Sequence, residues 1–178
     1  VYKRQDKLCA VTFTDVRLAE VAVLGQAGNG WAILETAMKK AAVAKSAEMV
    51  GGGRAAMEMA VKHARIREQF GQPIGSIQAV KHHCANMLTY LESSTLIIWK
   101  TAWLVAERRD CDEELAICKG WTSDAYRKLV ALAHQVMGGV GFIEETGLHL
   151  YFRHAKASEL VFGGATHHRE KLAQAMGL

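Results

Sequence analysis

IQAVKHHCANMLTYLESSTLIIWKTAWLV, residues 77–105, is the stretch whose reading decides the fold. Within it Ile77, Val80, Cys84, Met87, Leu91, Ser94, Ile98, Thr101 and Val105 recur at steps of three and four. That spacing lines one face of an α-helix with apolar and small groups. A seam this long has to be covered, and other helices are the natural cover. Ser76, just before it, is the residue type that caps a helix N-terminus.

The same period appears on both sides. Downstream, Asp112, Glu113 and Glu114 put carboxylates in a first turn, where the helix dipole favours them, and Leu115, Cys118, Thr122, Ala125, Leu129, Leu132 and Val136 follow along one face. Gly138 and Gly139 end that helix. Upstream, residues 31–66 hold no proline and are rich in Ala, Met, Lys and Glu, with Gly51–Gly53 allowing either close helix contact or a bend. Residues 65–76, with the single proline Pro73, read as a loop. A fourth helical stretch is expected over 147–162 and a short one over 166–176. Three long helices and one broken one, joined by short connections, predict an all-α chain forming an antiparallel four-helix bundle. Before it, the alternation of Val11, Phe13 and Val16 within residues 8–24 predicts one residual β-strand. Its partners are expected upstream of Val1 or on another chain, and residues 1–5 read as a cloning or sequencing scar.

Composition narrows the function classes. The 22 Lys and Arg against 18 Asp and Glu are scattered, so the slight basicity does not argue for nucleic acid. No run of about 18 uncharged apolar residues suggests a membrane span, and no secretory signal opens the chain, so a soluble intracellular protein is expected. Cys9, Cys84, Cys111 and Cys118 have no CxxC spacing, which implies neither a disulfide framework nor a zinc site. GQAGNG, residues 25–30, lacks the strand–turn–helix context of a dinucleotide-phosphate loop.

Three ordered motifs carry a resemblance. ARIREQFGQPIGSIQAV, residues 64–80, resembles the RxQFGxPIxxxQA signature of acyl-CoA dehydrogenases; QVMGGVGF, 135–142, resembles their QxxGGxGF segment; and LYFRHAK, 150–156, resembles the arginine-containing run before their catalytic loop. Upstream, VTFTDVRLAEVAVLGQAGNGW, 11–31, looks like the family's last sheet strand and linker. The resemblance implies that residues 1–30 are a remnant of a middle β domain with its linker. Residues 31–178 would be the C-terminal helical-bundle domain.

It also implies FAD as cofactor. By position Arg67 would reach the FAD pyrophosphate of a neighbouring subunit, and a guanidinium suits phosphate because it offers planar, permanently charged donors. Gln69 would donate to the same phosphates, Phe70 would pack beside the flavin or under the loop, and Gln78 would anchor the second helix nearby. Gln135, Val136, Met137, Gly138 and Gly139 match the segment holding the adenosine end. The glycines let backbone approach a nucleotide, although a plain helix C-cap would use them equally well.

The departure from the family concerns catalysis. Its members place a Glu six residues after the Lys of the third motif to remove the substrate's α-proton; here that position is Phe162, followed by Gly163 and Gly164. A phenyl ring cannot accept a proton. Other branches carry the base in an ER pair 26 residues before the motif arginine, and here Ala41 and Ala42 stand there. Glu159, one turn from Phe162, is the remaining carboxylate candidate; His154, His167 and His168 titrate near neutrality. Adjacent histidines face apart on a helix, so His82–His83 and His167–His168 predict no metal site.

Two functions fit. The first is an FAD-dependent acyl-CoA dehydrogenase of lipid metabolism, inactive as this piece alone, that turns an acyl-CoA into a 2-enoyl-CoA and hands electrons to an electron-transfer flavoprotein. The second is a partner subunit without a base that completes the FAD site of a heteromeric dehydrogenase. The resemblance implies a homo- or hetero-oligomer, dimer or tetramer; the expected location is cytoplasmic, of a bacterial type, with a mitochondrial origin as the alternative.

Overall fold

A computed structural model of the chain describes residues 9–178, so the reading of residues 1–5 lies outside it. Five helices carry the fold: α1 (Gly30–Ile66), α2 (Gln78–Ala106), α3 (Asp112–Met137), α4 (Leu148–Leu160) and α5 (Ala165–Ala175). A two-stranded ladder, β1 (Glu68–Gln69) with β2 (Gln72–Pro73), joins α1 to α2. The predicted bundle is therefore present, with α4 and α5 as its broken fourth member.

α3 is the central post. Its first turn is tied to the end of α2 by Lys100 to Glu114 (3.0 Å) and by Thr101 Oγ1 donating to the Glu114 carbonyl. Its middle meets α2 again through Trp121 Nε1 donating to Ser93 Oγ (3.0 Å), so the two run antiparallel. α1 runs alongside α3 in the same direction, from the Lys39–Asp112 ion pair at one end to Gly53 beside Leu129 further along.

The triple glycine does not break α1, which is continuous over 37 residues, about 55 Å at 1.5 Å per residue. It serves contact instead. A Cβ at Gly52 would lie 2.3 Å from the Tyr126 hydroxyl, and one at Gly53 would lie 3.4 Å from Leu129 and from Tyr126. The main core gathers Met49, Met87, Leu91, Leu129, Val130 and Leu148, all essentially sealed from solvent. Full burial of such side chains contributes about 1.5–3 kcal/mol each.

Residues 9–24 do not form the expected strand. Val11 and Phe13 are exposed, and no second segment among the described residues supplies backbone partners. A strand is a hydrogen-bonded ladder, so alternation alone produces only extended chain. Residues 65–76, read as a loop, in fact hold the end of α1, the β1–β2 hairpin and a 3-10 turn at Ile74–Ser76. Ser76 does not cap α2: its hydroxyl donates to the Pro73 carbonyl (2.7 Å), and Ile77 occupies the cap position.

Candidate functional site

The hairpin end of the bundle collects the first set of predicted site residues. α1 stops at Ile66, and Arg67 closes it with its N–H on the His63 carbonyl (2.9 Å). The chain then reverses through Phe70 (φ 54°) and Gly71 (φ 75°), two successive left-handed residues as a type I′ hairpin requires. That turn pushes Phe70 into solvent, 90% exposed. The hairpin is drawn back onto α1 by Ile74 N–H on the Arg67 carbonyl (2.8 Å) and by Gly75, where a Cβ would come within 2.9 Å of the Ala64 carbonyl. Arg67, Gln69 and Gln78 are exposed, Gln69 donating only to the neighbouring Glu68 carbonyl. Arg67 forms no ion pair among the described residues.

The second set stands at the C-terminus of α3. Gly138 (φ 59°) ends the helix, and a Cβ at Gly138 or Gly139 would meet nothing within 4 Å, so this backbone is bare. Gln135 is exposed, whereas Val136 and Met137 are buried in the main core. Those two side chains face inward and leave only backbone to offer a ligand. Because α1 and α3 run in the same direction, the hairpin after α1 and the C-terminus of α3 lie toward one end of the bundle, and Ala64, Ile74, Val80, Val136 and Met137 all pack into the main core. An unpaired guanidinium, an exposed aromatic and two open glycines make a surface suited to an anionic nucleotide.

The positions read for catalysis lie elsewhere. Phe162 packs against the small cluster of Ala42, Val43 and Leu115, so the α4–α5 turn and the α1 segment beside Ala41 meet. Position 162 and the α1 segment at 41–42 are thus one place, and it is apolar. Glu159 is half-buried and already engaged, 2.9 Å from Lys156 Nζ and 3.8 Å from Arg127 Nε. His154 bridges helices: its Nε2 lies 2.6 Å from Glu48 Oε1 and its Nδ1 3.1 Å from the Tyr126 hydroxyl. Burial alone would raise the Glu48 carboxyl, yet hydrogen bonds from Lys45 and His154 hold it below the usual range. His167 stacks edge-on against His168, which is buried. Among the described residues no group of three His, Cys, Asp or Glu could hold a metal ion.

Lys119 was missed in the sequence. It lies four residues after Leu115 and three before Thr122, which places it on the buried face of α3, and the period alone could have flagged it. Its side chain is completely buried, and burial lowers its pKa from 10.5 to about 8, against the charge of Glu159, which raises it. Its acceptors are Ser123 Oγ and three backbone carbonyls of the α4–α5 region.

Comparisons with known proteins identify the family and the fold. The family described as acyl-CoA dehydrogenase, C-terminal domain, matches residues 28–177. The mitochondrial short-chain specific acyl-CoA dehydrogenase of Bos taurus is 29% identical over 168 residues, covering 90% of this chain and 41% of its own length. Butyryl-CoA dehydrogenase from Megasphaera elsdenii superimposes with a TM-score of 0.89 at 26% identity, over 93% of this chain and 43% of that one. A structure of PigA with FAD and proline gives 0.88 at 28% identity, over 93% and 43%. The chain therefore spans about two-fifths of the length of these relatives.

Proposed function

This chain belongs to the acyl-CoA dehydrogenase family, and from that premise we propose that it is the FAD-holding helical domain of an oxidoreductase that dehydrogenates an acyl thioester to the 2-enoyl product. The observation that carries the reading is that exposed Arg67 and Phe70, just past the end of α1, and the bare backbone of Gly138 and Gly139, at the end of the parallel α3, lie toward the same end of the bundle. Arg67 would pair with phosphate and Gln69 donate beside it, Phe70 would lend an aromatic surface, and Gln135, Gly138 and Gly139 would hold the adenosine end. Gln78, exposed in the first turn of α2, would flank them. When bound, FAD supplies the hydride acceptor. Lipid metabolism, an electron-transfer flavoprotein as acceptor and an oligomer completing the site are parts of the same proposal; no helix among the described residues is long and apolar enough to cross a membrane.

A second reading, a partner subunit without a base, is favoured by one observation: Phe162 sits in an apolar cluster with Ala42 and Val43, and Glu159 is held by two cations. Anaerobic titration of the full-length protein with saturated acyl-CoA thioesters, following oxidised-flavin absorbance, decides between them. Bleaching establishes the dehydrogenase. Bound flavin that never bleaches in the wild type, but bleaches in Phe162→Glu, establishes the partner-subunit reading. A full-length protein that takes up no flavin sinks both.

A further inference from the structure

The turn between α4 and α5, residues 161–164, is gripped from two sides by buried polar groups. From α3 the Lys119 ammonium donates to the carbonyls of Ser158 (3.2 Å), Glu159 (3.2 Å) and Gly163 (3.1 Å), and to Ser123 Oγ (3.0 Å). From α5 His168 places Nε2 2.9 Å from the Phe162 carbonyl. A carbonyl oxygen can only accept, so Nε2 carries the proton and donates, and burial lowers the pKa of the imidazole. Four carbonyls between 158 and 163 thus have a buried donor reaching in from another helix.

Ending a helix does not need this. α1, α2, α3 and α5 are closed at their C-termini by ordinary backbone N–H groups, such as Arg67 on His63 and Gly138 on His134. α4 has the buried cation instead. A charge in the core costs solvation, so its placement here, where simpler caps serve the other helices, calls for a role. The backbone it holds is also unusual: Phe162 has φ 59° and Gly163 φ 94°, and a Cβ at Gly163 would come within 2.5 Å of the His167 ring and 3.1 Å of His168 Nε2. Bulky residues stay in the left-handed region only where their surroundings over-determine them, and such positions gather at functional sites. Gly120 lies under His168, where α3 and α5 pack: a Cβ there would lie 3.4 Å from His168 Cβ.

We propose that Lys119 and His168 are positioning residues that clamp this turn and so fix the side chain at 162, and the backbone around it, where the acyl part of the thioester is met. The inference rests on the thioester reading above. It adds that the geometry at position 162 is imposed from α3 and α5 and is independent of which residue occupies 162.

The test uses the full-length, flavin-loaded protein with the donor-removing variants Lys119→Met and His168→Leu, and His168→Gln to restore a donor. Flavin content, the Kd for butyryl-CoA and palmitoyl-CoA from the flavin difference spectrum, and amide hydrogen exchange over residues 158–166 are measured together. Both donor-removing variants are expected to keep their flavin, to exchange faster over 158–166 and to bind thioester about tenfold or more weakly, a change of about 1.4 kcal/mol. His168→Gln is expected to recover most of the affinity. Faster exchange with wild-type thioester affinity reduces the clamp to a structural cap and overturns the proposal. If Lys119→Met fails to fold, His168→Leu decides alone. A wild type that holds flavin but binds neither thioester fails the functional reading itself and takes the positioning role with it, whereas wild-type binding unchanged in the variants fails the clamp only.

Discussion

Arg67 and Lys119 are both cations that end a helix, and they do it in opposite ways. Arg67 closes α1 with its backbone and leaves its guanidinium exposed and unpaired, while Lys119 closes α4 with its side chain and is sealed from water among four acceptors. The exposed charge is free to meet an anion and contributes little to the fold. The buried one is spent on the fold, since any partner removed from it leaves a polar group stranded in the core. A bundle can therefore keep an exposed cation and a shape-setting one on different helices, Arg67 at the end of α1 and Lys119 within α3.

The sharpest way to break this contrast is at Gly163. Valine there needs a left-handed backbone that a β-branched residue avoids and a Cβ within 2.5 Å of the His167 ring, so Gly163→Val is expected to cost about 3 kcal/mol or more in urea unfolding of the full-length protein. A loss below 1 kcal/mol, on the same scale of about 1–3 kcal/mol expected for strained positions, would mean that the turn is not held rigidly.

pH separates the two cations next. Lys119 has its pKa lowered to about 8 in the fold and regains about 10.4 when unfolded, so between those values the unfolded chain binds the extra proton. The share of the stability due to Lys119 is then expected to rise with pH across that window, by about 3 kcal/mol at most, as the buried charge is relieved. Lys119→Met should flatten the rise in melting temperature, and Arg67→Ala should leave it untouched. A wild-type slope between pH 8 and 10 no different from that of Lys119→Met would contradict the burial of Lys119, since the raised thiols of Cys84, Cys111 and Cys118 act alike in both proteins.

Arg67→Ala is expected to weaken FAD binding by about 1.5–3 kcal/mol, roughly ten- to a hundredfold, with the melting temperature of the flavin-free protein unchanged. Flavin affinity equal to wild type would remove Arg67 from the site. The smallest effect belongs to Ser76→Ala. Because its hydroxyl bonds the Pro73 carbonyl in an exposed turn, the expected loss is below about 0.5 kcal/mol, whereas a cap would cost about 1 kcal/mol.

The helices were legible because their period is local. The stripe Met87, Leu91, Ser94, Ile98 and Thr101 is buried as written, and Gly138 ends α3 where a glycine is expected to. The strand at Val11 and Phe13 was not, because pairing depends on chain that alternation cannot supply. The roles of Val136 and Met137 were blurred for a related reason: a motif names five neighbouring residues alike, and only packing turns two of them inward.

By itself, then, the sequence determined which segments are helical, where they stop and which motifs they carry, since capping, periodicity and glycine placement act within a few residues. Only the tertiary structure decided that the triple glycine is a seam against Tyr126 and no hinge, that Phe162 and Ala42 share one apolar site, and that Lys119 reaches across to α4. Those are contacts between residues up to 120 positions apart, counting from 42 to 162, and no local pattern encodes the geometry that brings them together.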